Sequence, residues 1–259
     1  MSRQSTHLAS ERPVALITGG GRGIGAAITR AFHLAGYAVA ILSRSDDGLS
    51  AALGTELCHV ATDVRQSADV DRAVGCVMDW AGRIDVVVNN AGTSAWRPLE
   101  AIDDAFWADM IGVNLSGVLY TCRAAVPHLR RGGAIVNVSS LAGKRGSANN
   151  TAYCAAKFGV NGLTQSLAKE LGPRGIRVNA VCPVYVDTAG LREALAAPDA
   201  PPRGQDIDAY LAEFVRGQAT LGRLPLAEDV AATCLVLASP ATAAITGQCI
   251  NVDCGVLPQ

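Results

Sequence analysis

The segment Val14-Ala-Leu-Ile-Thr18 runs directly into Gly19-Gly-Gly-Arg-Gly-Ile-Gly25, and an amphipathic stretch continues to Leu34. The first five residues are typical of a buried strand, and the glycines allow a tight turn. A helix that begins at Ile24 would direct unpaired N–H groups and its positive dipole end at the loop, which suits a bound phosphate. The spacing is Gly-x-x-x-Gly-x-Gly, and Gly21-x-Gly23-x-x-Ala26 fits a looser dinucleotide fingerprint. This context favours a dinucleotide site over a purely structural turn.

The alternation of strand and helix patterns continues along the chain. Apolar runs predict strands, and longer amphipathic stretches predict the helices between them. We expect strands at 14–18, 38–42, 57–62, 84–89, 134–140, 176–182 and 249–252, and helices at 24–34, 67–80, 103–130, 152–171 and 227–238. The fold class is therefore α/β: a single-domain, doubly wound (Rossmann) parallel sheet of about seven strands with helices on both faces.

The pattern predicts one domain at 13–259, preceded by a polar tail at 1–12 that we expect to be disordered or flexible. Within the domain, the segment 188–220 has helical pattern on both sides of a proline-rich patch at 196–204. We expect this segment to form a lid over the substrate.

The composition excludes several classes of protein. The 259 residues are 49% hydrophobic with a formal net charge of -1, which argues against a disordered chain and against a dedicated nucleic-acid binder. No run approaches the roughly 18 apolar residues of a membrane span, and the first residues lack the apolar centre of a signal peptide. We expect a cytoplasmic protein with no membrane partner. The cysteines include no C-x-x-C and the histidines form no ligand cluster, so we expect reduced thiols and no metal.

The end of the second predicted strand bears on which dinucleotide binds. An acid there would accept a hydrogen bond from the ribose 2′-hydroxyl, whereas an arginine would accommodate a 2′-phosphate. Ser43 and Arg44 stand at this position, and Arg22 in the glycine loop could reach the same phosphate. The arginines favour NADP(H), and NAD(H) is the alternative, with Asp46 binding the hydroxyl.

Tyr153 and Lys157 stand at positions i and i+4 of one predicted helix, so their side chains lie on the same face. A phenol ionises near pH 10, too high for proton transfer at neutral pH. An ammonium about 4 Å away contributes roughly 4 kcal/mol at an effective dielectric near 20, which would lower the phenol pKa by about three units. We therefore expect Tyr153 to exchange a proton with a carbonyl or alcohol oxygen, with Ser140 at the end of the preceding strand.

These motifs occur together and in a fixed order on the expected elements. The order is Thr18-Gly19…Gly23-Ile24-Gly25, Asn89-Asn90-Ala91-Gly92, Asn114, Ser140, Tyr153-x-x-x-Lys157 and Asn179…Pro183. With this combination, from about residue 13 to 257, the chain resembles a classical short-chain dehydrogenase/reductase. Within that family it resembles the 3-oxoacyl reductase and the small-ketone or diol dehydrogenase members.

The resemblance implies a role for each matching residue. Tyr153 resembles the general acid of reduction, and Lys157 resembles the residue that lowers the tyrosine pKa and holds the nicotinamide ribose. Ser140 would hydrogen-bond the substrate carbonyl, and Asn114 would hold a water in a proton relay. Cofactor contacts are implied at Gly19, Gly21, Arg22, Gly23, Ile24, Ser43, Arg44, Asp63, Val64, Asn90, Ala91, Gly92, Pro183, Val186 and Thr188, besides Tyr153 and Lys157.

Four further positions are candidate substrate contacts. Val184 replaces the glycine that usually follows the family's proline, and Tyr185 adds a second bulky side chain. Trp96 is either an apolar wall or a packed surface residue. Asn150 is a candidate hydrogen-bond partner for a hydroxylated substrate, whereas the apolar side chains of the lid segment slightly favour a ketone or an acyl chain.

The resemblance implies an oxidoreductase that transfers a hydride between NADP(H) and a carbonyl or secondary alcohol, such as a ketone or a 3-oxoacyl thioester. An NAD-dependent alcohol, diol or polyol dehydrogenase is the alternative within the family, and a non-catalytic nucleotide-binding scaffold is the alternative outside it. The resemblance also implies a homo-oligomer, tetramer or dimer, in which the long helices at 103–130 and 152–171 meet partner copies.

Overall fold

The computed structural model describes residues 12–46, 48–49 and 54–258, so the predicted tail lies outside the described residues apart from Arg12. Within the described residues the strands are β1 (Val14–Thr18), β2 (Ala38–Ser43), β3 (Leu57–Ala61), β4 (Ile84–Asn89), β5 (Leu129–Val138), β6 (Arg177–Pro183) and β7 (Cys249–Val252). The helices are α1 (Gly23–Leu34), α2 (Ser67–Ala81), α3 (Asp104–Ile111), α4 (Gly117–Ala125), α5 (Thr151–Leu171), α6 (Ala189–Leu195), α7 (Ile207–Gln218) and α8 (Ala227–Ala238).

The strands form one parallel sheet in the order β3-β2-β1-β4-β5-β6-β7. Sequence order runs outward in both directions from the β1–β4 pair, which makes this pair the switch point of a doubly wound sheet. The carboxyl ends of all parallel strands meet at one edge, and ligands of such sheets bind outside that edge at the switch point. The predicted fold class is confirmed.

Alternate side chains of each strand fill two layers of core. On β1, Val14 and Leu16 pack with the layer of α2, α4 and α5, whereas Ala15 and Ile17 pack with the layer of α1 and α8. Because both faces are covered, all five residues of β1 are buried, as the unbroken apolar run predicts.

The predicted helix at 103–130 is wrong in its interior and at its end. A π-helical turn at Gly112–Ser116 separates α3 from α4, and α4 ends at Ala125. A short turn at Val126–His128 follows, in which Pro127 has no N–H to continue the helix. β5 then begins at Leu129, opposite Ile84, and continues past an irregularity with positive φ at Gly132. The predicted strand at 134–140 therefore starts too late, and it also ends two residues too far along the chain.

The segment 188–220 contains α6 and α7, which pack through Leu195 and Leu211 against Trp96. This small apolar cluster is separate from the two core layers and lies beside the carboxyl edge of the sheet. No helix in the described part of the chain is both long and apolar enough to cross a membrane. The same residues hold no cluster of three or more His, Cys, Asp or Glu side chains suited to a metal.

Candidate active site

A cleft of about 820 Å³ opens along the carboxyl edge of the sheet. It is continuous from the glycine loop to the lid segment. Every site residue predicted from the sequence lines it: Gly19, Gly21, Arg22, Gly23, Ile24, Ser43, Arg44, Asp63, Val64, Asn90, Ala91, Gly92, Trp96, Asn114, Ser140, Asn150, Tyr153, Lys157, Pro183, Val184, Tyr185, Val186 and Thr188. These residues come from distant parts of the sequence. They meet in one site because each follows the carboxyl end of a strand or lies on an element beside that edge of the sheet.

The glycine loop is built for close backbone approach. Gly19 has φ +63° and Gly23 has φ +53°, conformations that other residues rarely adopt. At Gly25, an added Cβ would lie 2.0 Å from the Gly19 carbonyl oxygen. The N-cap residue of α1, Arg22, makes no side-chain hydrogen bond to the first turn. The first N–H groups of α1 thus have no cap from this side chain, which fits a pyrophosphate at the helix N-terminus.

Asn90 ties the glycine loop to the end of β4. Its Nδ2 donates to the carbonyl oxygens of Thr18 (3.1 Å) and Gly19 (2.9 Å). In return, the Thr18 hydroxyl accepts from the N–H groups of Asn90 and Ala91, each at 3.0 Å. These bonds fix the two strand ends on either side of the switch point, so the width of the cleft there is set by the chain itself.

Two arginines line the cleft beside the end of β2. Arg44 and Arg22 are exposed, and within the described residues neither guanidinium has an ion pair. Asp46 accepts a hydrogen bond from the Gly48 N–H at 3.1 Å and is not among the cleft-lining residues. Asp63 does line the cleft, and the hydrogen bond from Arg65 holds its pKa below the usual range.

The π-helical turn orients Asn114 toward the centre of the cleft. Its Nδ2 donates to the Met110 carbonyl at 3.0 Å, and its Oδ1 accepts from the Thr93 N–H at 3.1 Å. A Cβ added to Gly92 would lie 2.9 Å from Asn114 Oδ1 and 3.7 Å from Lys157 Nζ. Asn114 Oδ1 and Lys157 Nζ therefore both lie beside Gly92 in the cleft.

The expected low pKa of Tyr153 is wrong. Burial raises the pKa of this phenol to about 12, and hydrogen bonding with Ser140 only partly opposes the rise. Lys157 donates to the Val138 carbonyl at 2.9 Å, and its Nζ lies 5.6 Å from the centre of the Tyr153 ring. Burial also lowers the Lys157 pKa to about 8. Helical spacing correctly predicted that the two side chains lie on one face, but burial of the phenol, which the spacing does not reveal, sets the direction of its pKa shift.

The buried ammonium of Lys157 makes stability depend on pH. Its folded pKa of about 8 lies below the ordinary 10.5. Below about pH 8 the Lys157 side chain is protonated in both the folded and the unfolded protein, so the folded protein bears the full cost of burying the charge. This cost declines as pH rises from about 8 toward 10.5, because the side chain is then neutral in the folded protein. We expect Lys157→Met to raise the free energy of unfolding at pH 7 by on the order of 2 kcal/mol, with a smaller gain at alkaline pH.

Urea unfolding at pH 7 and pH 10 measures this difference. Lys169→Met, which removes an exposed lysine from the same helix, serves as the matched control and should change stability little at either pH. A Lys157→Met variant that is less stable than the natural chain at pH 7 would contradict the argument.

Aromatic side chains wall the end of the cleft next to the lid segment: Tyr185 and Trp96 precede that segment, and Tyr210 and Phe214 belong to it. The Tyr185 hydroxyl lies 3.3 Å from that of Tyr210, and the Tyr185 ring centre lies 4.9 Å from that of Phe214. Trp96 is only 5% exposed and belongs to the same cluster, so it is a packed wall rather than a surface residue. Val184 and Tyr185 thus narrow the cleft next to the catalytic candidates.

Asn150 brings a buried polar atom to this apolar end. The residue is 4% exposed, and its Nδ2 donates to the Ser147 hydroxyl at 3.3 Å. Its Oδ1 is buried and has no hydrogen-bond partner among the described residues. A buried acceptor without a partner is costly, so Asn150 suits a ligand that donates a hydrogen bond.

The sequence reasoning did not identify several cleft-lining residues. Thr93 and Ser94 directly follow the Asn-Ala-Gly motif, and Arg145 and Ser147 lie between Ser140 and Tyr153. Their position beyond strand ends was a usable signal. Phe214 is one of the apolar side chains of the predicted lid segment, and the structure places it in the cleft lining.

Comparisons with known proteins agree with this geometry. A family model described as enoyl-(acyl carrier protein) reductase matches residues 19–257. The 3-oxoacyl-[acyl-carrier-protein] reductase FabG of Chlamydia muridarum is 36% identical over 251 residues, which cover 93% of this chain and 96% of that protein. D-threitol dehydrogenase of Mycolicibacterium smegmatis is 36% identical over 250 residues, covering 93% of this chain and 92% of that protein.

Two solved structures are similar along nearly their whole length. A variant of the actinorhodin polyketide ketoreductase, solved with NADPH, has a TM-score of 0.86 and 32% identity, covering 95% of this chain and 97% of that one. The 3-ketoacyl-(acyl-carrier-protein) reductase of Brucella melitensis complexed with NADH has a TM-score of 0.83 and 31% identity, covering 94% of this chain and 98% of that one.

Proposed function

The chain belongs to the short-chain dehydrogenase/reductase family, and on that premise we propose that it reduces a ketone or 3-oxoacyl-type carbonyl with NADP(H), with Tyr153 as the general acid. The observation that carries the proposal is the meeting of Ser140, Tyr153 and Lys157 in one cleft with a glycine loop that fits a dinucleotide.

The protonation state of Tyr153 favours reduction. With a pKa of about 12, the phenol holds its proton at neutral pH and is ready to donate it to a carbonyl oxygen. When bound, the nicotinamide supplies the hydride. The Ser140 hydroxyl holds the same substrate oxygen, and Lys157 and Asn114 lie where a proton could be returned to the phenol.

The remaining predicted residues would hold the cofactor. The glycine loop and the N-terminus of α1 suit the pyrophosphate, and Asp63 and Val64 suit the adenine. Lys157 and Thr188 would hold the nicotinamide end; Thr188 stands across from the loop, 3.6 Å from the position of a Cβ at Gly23.

A substrate panel followed at the NADPH absorbance band tests the reaction. The panel includes simple ketones, 3-oxoacyl thioesters and the keto forms of small polyols. We expect turnover with ketones or 3-oxoacyl thioesters and little with hydroxylated compounds. Tight NADPH binding with no turnover in any class would favour the non-catalytic scaffold instead.

Asn150 favours a second candidate within the same family, a polyol or sugar dehydrogenase. Its buried Oδ1 would accept a hydrogen bond from a substrate hydroxyl. D-threitol dehydrogenase, one of the relatives, takes its name from a polyol. The same panel separates the two, because this candidate requires the hydroxylated compounds to react best.

The two arginines beside the end of β2 support NADP(H) over NAD(H). A hydrogen bond from a charged group to a phosphate contributes about 1.5–3 kcal/mol. We therefore expect Arg44→Gln to raise the Kd for NADPH about 10- to 100-fold while changing the Kd for NADH less than about 3-fold. Fluorescence titration measures both constants, and Arg30→Gln, an exposed arginine of α1 outside the cleft, is the control. Tighter binding of NADH than NADPH by the natural chain would overturn the preference.

We also infer a homo-oligomer and a lid. Trp107 and Leu119, on α3 and α4, are each 43% exposed, and Phe158 on α5 is 48% exposed, which supports contact between copies through these helices. Sedimentation velocity at micromolar concentration should show a dimer or tetramer. The aromatic packing of α6 and α7 over the cleft supports a lid at 188–220.

A further inference from the structure

The turn after β2 carries Arg44, one of the two arginines on which the proposed preference for NADP(H) depends. Ser43 is the last residue of β2, and both Ser43 and Arg44 line the catalytic cleft. The chain bends at Arg44 and Ser45. The Ser43 hydroxyl donates to the Ser45 carbonyl at 2.8 Å, so this hydrogen bond spans Arg44. The position of the Arg44 backbone therefore depends on what holds Ser43.

His59 of β3 contacts this turn from the neighbouring strand. In the β2–β3 register His59 is paired with Ile41, and Ser43 is paired with Ala61, so the side chains of His59 and Ser43 lie on the same face of the sheet. The His59 Nε2 atom is 3.1 Å from the Ser43 carbonyl oxygen and 3.1 Å from Ser43 Oγ. His59 is half-buried and is not one of the described residues that line the cleft. It therefore contacts the turn from behind the cleft.

The atoms around His59 Nε2 determine which of them donates. A carbonyl oxygen can only accept, so Nε2 carries a hydrogen. Ser43 Oγ gives its own hydrogen to the Ser45 carbonyl, so it also accepts from Nε2. One ring N–H thus holds both the backbone and the side chain of Ser43.

The sheet holds Ser43 less completely without His59. The Thr62 N–H donates to the Ser43 carbonyl at 3.0 Å, and this bond between backbone groups does not involve the ring. Loss of the imidazole would therefore leave β2 in the sheet but remove the donor to the Ser43 hydroxyl. The turn beyond Ser43 would then be free to change its conformation.

The side chain of Arg44 has no hydrogen bond or ion pair of its own in the part of the chain that the structure describes. A long side chain without such a partner keeps many rotamers, so the backbone that carries it decides which region its guanidinium samples. Any residue that fixes the turn therefore also limits where the Arg44 charge can lie.

We propose that His59 is a positioning residue for NADP(H): through Ser43 it holds the turn that presents Arg44 to the 2′-phosphate. The inference rests on the cofactor part of the proposed function. NADPH differs from NADH by this phosphate, so a residue that acts through Arg44 strengthens binding of NADPH and leaves binding of NADH unchanged. His59 is thereby a determinant of cofactor preference that lies outside the cleft lining.

Fluorescence titration of the full-length protein with NADPH and NADH tests the proposal. We expect His59→Leu to raise the Kd for NADPH about 3- to 10-fold, as for the loss of one neutral hydrogen bond, and to change the Kd for NADH less than about 2-fold. His59→Gln should keep the Kd for NADPH within about 2-fold of the natural value, because glutamine Nε2 is a donor at the same number of bonds from the backbone. His33→Leu, which replaces a half-buried histidine of α1 outside the cleft lining, is the matched control, and the Tm of each variant reports whether it is folded.

A double-mutant cycle separates positioning of Arg44 from a general structural role. In the Arg44→Gln background, His59→Leu should raise the Kd for NADPH less than about 2-fold further, because the positioned charge is already gone. The proposal is overturned if His59→Leu keeps its full effect in that background, if it weakens NADH as much as NADPH, or if His59→Gln binds NADPH as weakly as His59→Leu.

Failure of this proposal is distinguishable from failure of the proposed function. If Arg44→Gln weakens NADPH binding and His59→Leu does not, the positioning role alone is wrong. If Arg44→Gln leaves NADPH binding unchanged, the proposed preference for NADP(H) is wrong and the role of His59 is rejected with it. Both results come from binding constants, so neither depends on finding the substrate.

Discussion

Replacing Tyr153 with phenylalanine should lower kcat for carbonyl reduction by about 10²- to 10⁴-fold, the range that a positioned general acid contributes. The change removes one oxygen from a partly buried side chain that lines the cleft, and it leaves the ring beside Lys157. Since the phenol holds its proton at neutral pH, its loss removes the proton donor rather than a charge. The Kd for the dinucleotide should change little, so the effect should appear in kcat.

Steady-state kinetics and a cofactor titration together measure this result. Tyr120→Phe, on α4 and outside the cleft, is the matched control and should retain full activity. A Tyr153→Phe variant that keeps more than a tenth of the natural kcat would show that another group donates the proton. A variant that loses cofactor binding as well would indicate a structural role for the hydroxyl.

Replacing Gly25 with alanine should destabilise the protein by at least about 3 kcal/mol, the upper part of the range for an overpacked site. The new methyl group would lie 2.0 Å from the Gly19 carbonyl oxygen and 2.6 Å from Asn90 Nδ2. The first of these atoms is backbone, so α1 and the loop must move apart. We expect a lower Tm and a loss of dinucleotide binding in whatever fraction still folds.

Gly75→Ala provides the opposite result for comparison. Gly75 lies in α2 with nothing within 4 Å of an added Cβ among the described residues, so alanine should stabilise the helix by about 0.5–1 kcal/mol. Thermal unfolding of the two variants should therefore move in opposite directions. If Gly25→Ala and Gly75→Ala have the same Tm and bind NADPH equally well, the loop does not require glycine at position 25.

The strands could be predicted well from the sequence because each is a short apolar run that ends at a polar or glycine-rich segment. Their parallel pairing also explains why the predicted site residues line one cleft: Ser43, Asn90 and Ser140 lie at or just past strand ends, which share one edge of the sheet. Because each strand is buried on both faces, its apolar residues form a continuous run in the sequence. Such a run is a local pattern, so it predicts the strand without knowledge of the structure.

The features that the sequence did not predict depend on contacts between distant residues. The π-helical turn at Gly112–Ser116 has no helical periodicity to reveal it, and Asn114 is fixed by Met110 and Thr93 only once the turn has formed. The pKa of Tyr153 depends on its burial, which the i, i+4 spacing to Lys157 does not report.

That π-helical turn also constrains how this chain can vary in length. A deletion of one residue between Ile111 and Gly117 would restore a regular helix, because a π-helical turn holds one residue more than the α-helical turn that it replaces. The helices on either side would keep the faces that they bury, but the backbone that carries Asn114 would move. Asn114 would then lose its hydrogen bonds with Met110 and Thr93, and with them its position beside Gly92. A chain one residue shorter here would therefore keep its fold and lose part of its site.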